Sequence, residues 1–160
     1  MKIHNPVRAY LRDMDSFFYG GNGWQAGLFE QVKDLNFKQA VWRPDINRNS
    51  IWKIVKHTIF WKQYIFSEEE GKPFSSEERR SGNWMSIPEK PDEEKWQSEL
   101  LLLEMTHKKM KSLIRKKDIE LFNTRKEFSN YIREIISHDA YHAGQIGLVR
   151  VLQGIKPAKY

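Results

Sequence analysis

Between Phe128 and Leu152 one set of side chains recurs at alternating steps of three and four: Phe128, Tyr131, Ile135, His138, His142, Gln145, Val149 and Leu152. That rhythm keeps them on one face of an α-helix and is incompatible with a strand, where side chains change face at every residue. The stripe is apolar at both ends and polar in the middle. Its centre places two imidazoles where a core-facing helix normally presents Leu or Ile.

The rest of the chain follows the same period, with no internal repeat and no low-complexity tract. A first helix is expected after Pro6, a residue suited to the first turn, carrying Val7, Tyr10, Leu11, Phe17 and Phe18 up to Gly20-Gly21-Asn22-Gly23. Trp24 to Leu35 reads as a shorter helical piece. A second long helix, capped by Asn49 or Ser50, runs through Ile51, Ile54, Val55, Trp61 and Ile65. Glu68 to Pro91 then reads as a polar loop, punctuated by Gly71, Pro73, Gly82, Pro88 and Pro91. Phe74, Trp84 and Met85 would anchor it at intervals and let it cover a site. A third helix repeats Trp96, Leu100, Leu103, Met110 and Ile114, with His107 on the same stripe. The fourth opens on a capping box, Thr124 with Glu127 three residues later. Four such stretches, each with one apolar face, predict an all-α, four-helix bundle spanning residues 1–160 as a single domain.

Composition narrows the chemistry. The chain has no cysteine, which excludes thiolate nucleophiles, disulfides and zinc-thiolate sites and leaves His, Asp and Glu as the strong metal ligands. The longest apolar run, Leu100 to Leu103, is far short of the roughly 20 residues a membrane span needs, and MKIHNPVRAY lacks a signal-peptide core. A cytoplasmic location is expected. Lys and Arg outnumber Asp and Glu by 27 to 21. Much of the excess is Lys108, Lys109, Lys111, Arg115, Lys116 and Lys117, at the end of a helix that opens with Asp92, Glu93 and Glu94. Acid first and base last is the order the helix dipole favours, so the cluster reads as a solvated face rather than a phosphate-binding patch. A nucleic-acid partner is not expected, since no DNA-reading motif is present.

A lone His on an apolar face is best explained as a hydrogen-bonded interior residue. His138 and His142, one turn apart, leave two explanations open: separate interior hydrogen bonds, or one metal shared through a lone pair from each ring. A third ligand would come from a facing helix, and Ser50, Ile54, His57, Trp61 and Tyr64 form such a stripe. Three His with coordination positions to spare resemble catalytic rather than structural sites, which are filled by four protein ligands. Gln145, one turn beyond His142, and Asp139 are candidate outer partners, and Trp61 and Tyr64 are candidate pocket walls. No general base stands out. Glu104 and His107 suggest half of a di-iron bundle site, but Glu134 precedes His138 by four residues and not three. His107 is therefore expected to be packing, and His4 carries no information. A second stripe, Ser137, Ala140, Gly144, Gly147 and Val151, would allow close approach of another helix, from this chain or from a partner subunit. Its glycines cost about 1 kcal/mol each in a helix.

The segment SHDAYHAGQIGLVR, Ser137 to Arg150, resembles the last-helix motif of the DinB/YfiT-like family, with its two metal-binding His at His138 and His142. AVWRPDINRNSIWKIVKHTIFWKQY, Ala40 to Tyr64, is similar to the family's second-helix segment, where a third His falls at His57. The resemblance covers most of the chain and is weakest from Glu68 to Pro91. It implies a four-helix bundle, a three-His site for one divalent transition metal, zinc or nickel, and commonly a homodimer. Family members include thiol-dependent S-transferases and isomerases, and proteins described only as metal-dependent hydrolases. The expectation is a metal-dependent enzyme acting on a small molecule by activating a thiol or water. Any thiol must be a low-molecular-weight cosubstrate, because the chain has none. The alternative is a non-catalytic metal-binding or stress-response protein, or a basic protein touching nucleic acid. Chelation would abolish the first activity, and added salt would weaken only nucleic-acid binding.

Overall fold

Ser50, in extended backbone, accepts the amide of Lys53 on its hydroxyl and starts a largely buried helix. The computed structural model describes residues 6–21, 23–116 and 126–159. Among them the elements are α1 (Pro6–Tyr19), α2 (Phe37–Val41), α3 (Ile51–Glu69), α4 (Ser76–Gly82), α5 (Glu93–Lys116) and α6 (Lys126–Leu152). The four long helices pack in a ring. α3 and α1 each contact both α5 and α6, while α1 and α3, like α5 and α6, lie across the interior from one another. The all-α expectation holds, and no described helix is long and apolar enough to cross a membrane.

Three expectations need correction or lie elsewhere. Trp24 to Leu35 is a series of turns and not a helix, although Leu28, Val32 and Leu35 are buried. The chain folds back on the end of α1, where Leu28 and Phe29 donate to the carbonyls of Phe17 and Phe18. A Cβ on Gly27 would sit 2.3 Å from the Gly20 nitrogen and 2.4 Å from the Phe18 oxygen, so only glycine permits the approach. The segment from Glu68 is not all loop. α3 continues through Glu69, and α4 forms behind a capping box of Ser75 and Glu78. The capping box expected at Thr124 and Glu127 lies outside the described residues and side chains.

α6 is rotated slightly from its sequence stripe. Its buried face is Phe128, Ile132, Ile135, Asp139, His142, Ala143, Ile146, Val149 and Arg150. Tyr131, His138 and Gln145 stand half-buried on the flank, and Leu152 is exposed. Close approach at the small-residue stripe occurs at Gly147, where a Cβ would meet Gln31 at 3.1 Å, while Gly144 faces open space. The neighbour at Gly147 is thus this chain's own turn segment, which buried Arg150 secures through Asp34 at 2.6 and 2.9 Å and the Gln31 carbonyl at 2.8 Å.

The interior is built in layers. One apolar cluster joins Phe18, Leu28, Trp52, Val55, Trp96, Leu103 and Ile146; a second joins Met14, Ile65, Met110, Ile114, Phe128 and Ile132. Between them each long helix contributes polar groups: Asp15, His57 and Lys62, His107, and the stretch from His138 to His142. Lys62 and Asp139, both buried, pair at 2.5 Å. His107 donates from Nε2 to Asp15 at 3.1 Å and stacks on Phe18 at 3.8 Å, the interior role expected of it. The basic end of α5 is partly neutralised: Lys108, Lys109 and Lys111 pair with Glu104, Glu70 and Asp15 at 2.9, 2.9 and 2.5 Å.

Candidate metal centre

His57 lies in the middle of α3, and His138 and His142 lie one turn apart on the facing stretch of α6. The helix contact brings the three rings together in the polar layer. His138 Nε2 stands 3.1 Å from His57 Nε2 and 3.0 Å from His142 Nε2. The three form the one metal-ligand cluster among the described residues, their ligand atoms all within 4.8 Å of one another.

The outer ring nitrogens decide which atoms carry lone pairs. His57 Nδ1–H donates to the Asn83 carbonyl at 2.6 Å, because a carbonyl can only accept. His142 Nδ1–H donates to Gln145 Oε1 at 2.7 Å, and Gln145 Nε2 in turn donates to the Tyr141 hydroxyl at 2.9 Å. Both rings therefore present unprotonated Nε2 atoms to His138. A proton on His138 Nε2 satisfies one of these contacts and leaves the other lone pair against lone pair. A cation shared by all three removes the conflict. Tetrahedral ligands about 2.0–2.1 Å from a zinc ion stand about 3.3 Å apart, close to the two separations at His138, so the donor set is one such an ion could take. Burial holds all three rings below the ordinary imidazole value of 6.5: His57 against the Asn83 hydrogen bonds, His138 down to about 3 with help from its neighbours, and His142 to about 4 despite Gln145. The shift favours the neutral form that a ligand needs.

The surroundings sort the remaining candidates. Trp84, from the loop after α4, stacks flat on His57 at 3.8 Å and 5°, so the segment does cover the centre. Trp61 meets His57 and His138 edge-on at 6.3 and 6.5 Å and donates its indole N–H to Asn83 Oδ1 at 3.0 Å. Tyr64 meets Trp61 edge-on at 5.5 Å. Gln145 holds His142, whereas Asp139 turns into the interior toward Lys62 and touches none of the three rings' ligand atoms. Two contributors were not apparent from the sequence. Asn83 acts through its backbone carbonyl, which no residue type announces. Lys62 was legible in principle, since it completes the run Val55, Ile59, Lys62 and Phe66 at helical spacing.

Two helices meeting at a three-His cluster make a helical protein with a site that could hold a metal ion. The DinB superfamily profile matches residues 25–146, a stretch that contains all three His. The chain belongs to the DinB superfamily. No curated protein and no solved structure gives a significant match.

Proposed function

We propose that the protein is a metal-dependent enzyme that holds one divalent transition ion, zinc or nickel, through Nε2 of His57, His138 and His142, and turns over a small molecule with a thiol or water as nucleophile. The observation that carries this reading is the convergence on His138 Nε2, at 3.1 and 3.0 Å, of the Nε2 atoms of His57 and His142, both of which carry their proton on Nδ1. Such an ion, when bound, lowers the pKa of a thiol or water and supplies an anionic nucleophile near neutral pH. The protein's own part is to orient the rings: Asn83 and Gln145 fix the tautomers of His57 and His142, and Trp84 shields one face of His57. Three protein ligands leave room for a nucleophile, as catalytic sites do and structural ones do not. With no cysteine in the chain, a transferred thiol belongs to a cosubstrate, of the kind used by S-transferases; with water the reaction is a hydrolysis. A homodimer in the cytoplasm is the accompanying proposal.

Elemental analysis of the purified protein beside His57→Ala and His142→Ala tests it. About one zinc or nickel per chain is expected in the parent and almost none in either variant. Full occupancy in both variants would sink the assignment. Metal bound without thiol transfer or hydrolysis across a panel of electrophiles and thiols would favour a non-catalytic metal protein.

A further inference from the structure

A cavity of about 220 Å³ opens directly against His138. Trp61, Tyr64, Tyr131 and Ile135 wall it, and among the described residues Glu134 is its one carboxylate. Glu134 and His138 are four residues apart on α6 and so share a face. Glu134 is exposed while His138 is half-buried, which puts the carboxylate toward solvent and the imidazole deeper. Arg79 and Arg80 line a different basin, with Ser76, Asn83 and Trp61; among the described residues no cationic side chain lines the cavity itself.

We propose, building on the metal-centre reading above, that this cavity receives the uncharged aromatic part of the substrate and that Glu134 excludes anions from it. Its volume is below the about 300 Å³ at which drug-sized ligand pockets begin, so it suits one substituted ring and not a nucleotide or a peptide. The aromatic walls offer edge and face contacts to such a ring. Trp61 is held in place by its bond to Asn83, so the wall is set before a ligand arrives. An anion entering would lose its water to walls that are chiefly carbon and would meet the Glu134 charge as well. A ring seated there lies beside His138, where the nucleophile would be presented.

Anisole and benzenesulfonate, which share a ring and differ in charge, distinguish this from a non-selective apolar cleft. Each is titrated into the zinc-loaded protein while the Trp61 indole N–H is followed in nitrogen–proton correlation spectra, its signal identified by its loss in Trp61→Phe. Anisole should shift that signal saturably and bind at least about tenfold tighter than benzenesulfonate. Glu134→Gln should narrow the preference by about three- to tenfold, through tighter benzenesulfonate binding, and Tyr64→Ala should weaken anisole with zinc content unchanged. Equal binding of the two probes, or a preference untouched by Glu134→Gln, overturns the proposal. Repeating the titration after chelation separates it from the metal reading: a metal-free protein that still prefers anisole upholds the pocket, whatever elemental analysis decides about the centre.

Discussion

Gln145 and the Asn83 carbonyl do equivalent work on different rings, each accepting a hydrogen bond from Nδ1–H, which keeps the proton there and leaves Nε2 bare. The Gln145 contribution is open to substitution. Gln145→Leu should lower zinc affinity about 10–100-fold, measured by competition with a chromogenic chelator, and an unchanged affinity would remove Gln145 from this role. His107 makes the contrasting case of an imidazole buried without ligand geometry. Burial, with the Lys62 ammonium adding to it, pushes its pKa from 6.5 to about 3, while Asp15 pulls the other way. The folded state thus binds this proton less readily than the unfolded chain. The stability His107 sustains is complete above pH 6.5 and declines as pH falls toward 3, by at most about 1.4 kcal/mol per pH unit. Urea unfolding of the metal-free protein at stepped pH should show this slope, and His107→Phe should flatten it by the equivalent of one proton. The two imidazoles of α6 were legible as a pair from spacing, which left a shared metal and separate interior hydrogen bonds both open. The folded structure shows them converging with His57, as the lone His107 does not.

At the scale of elements, α4 and the residues after it were the least legible part of the chain. Ser75 and Glu78 carry the same capping-box signature as Thr124 and Glu127, but the residues that follow, SEERRSG, offer no apolar stripe and none is buried. The segment matters for what it delivers. Gly82 lets it close on α3, because a Cβ there would come within 2.1 Å of the Phe60 ring. Asn83 and Trp84 follow immediately and reach His57. Gly82→Ala should therefore lower stability by about 1–3 kcal/mol and weaken zinc binding together, read by thermal unfolding with and without zinc. Loss of stability with zinc affinity intact would show that the segment does not support the centre. The rotation of α6 is a similar case: the sequence stripe included His138 and Gln145, and the true buried face runs through Asp139 and Arg150. Both charged residues look like surface positions until Lys62 and Asp34 are seen opposite them.

Across the whole molecule, the polar layer between two apolar clusters is the feature that ties fold to site. Lys62 and Asp139 lie in it with almost no solvent access, and burial pushes the Asp139 carboxyl up in pKa while the Lys62 ammonium opposes it. Removing one partner strands the other charge. Asp139→Ala should cost about 3–5 kcal/mol, whereas Lys62→Met combined with Asp139→Leu should be neutral or stabilising, both read by urea unfolding. A double variant as damaged as the single one would mean that the pair does more than balance its own burial. The layer also interrupts what would otherwise be one continuous core, and α3 and α6 supply both the pair and the three His.

Periodicity determined that this chain is helical and that His57, His138 and His142 occupy mid-helix positions, and cap residues placed the start of α3 at Asn49 or Ser50. These are local properties, set by side-chain spacing and by caps that act within a turn. What only the tertiary structure decided depends on groups distant in the chain: which way α6 turns, what Lys62 and Asp139 pair with, how Gly27 folds the chain back on α1, and which carbonyl orients His57. Each is settled by contacts across helices, where burial makes an unpaired charge or a misplaced methylene costly, and a one-dimensional pattern does not record who the partner will be.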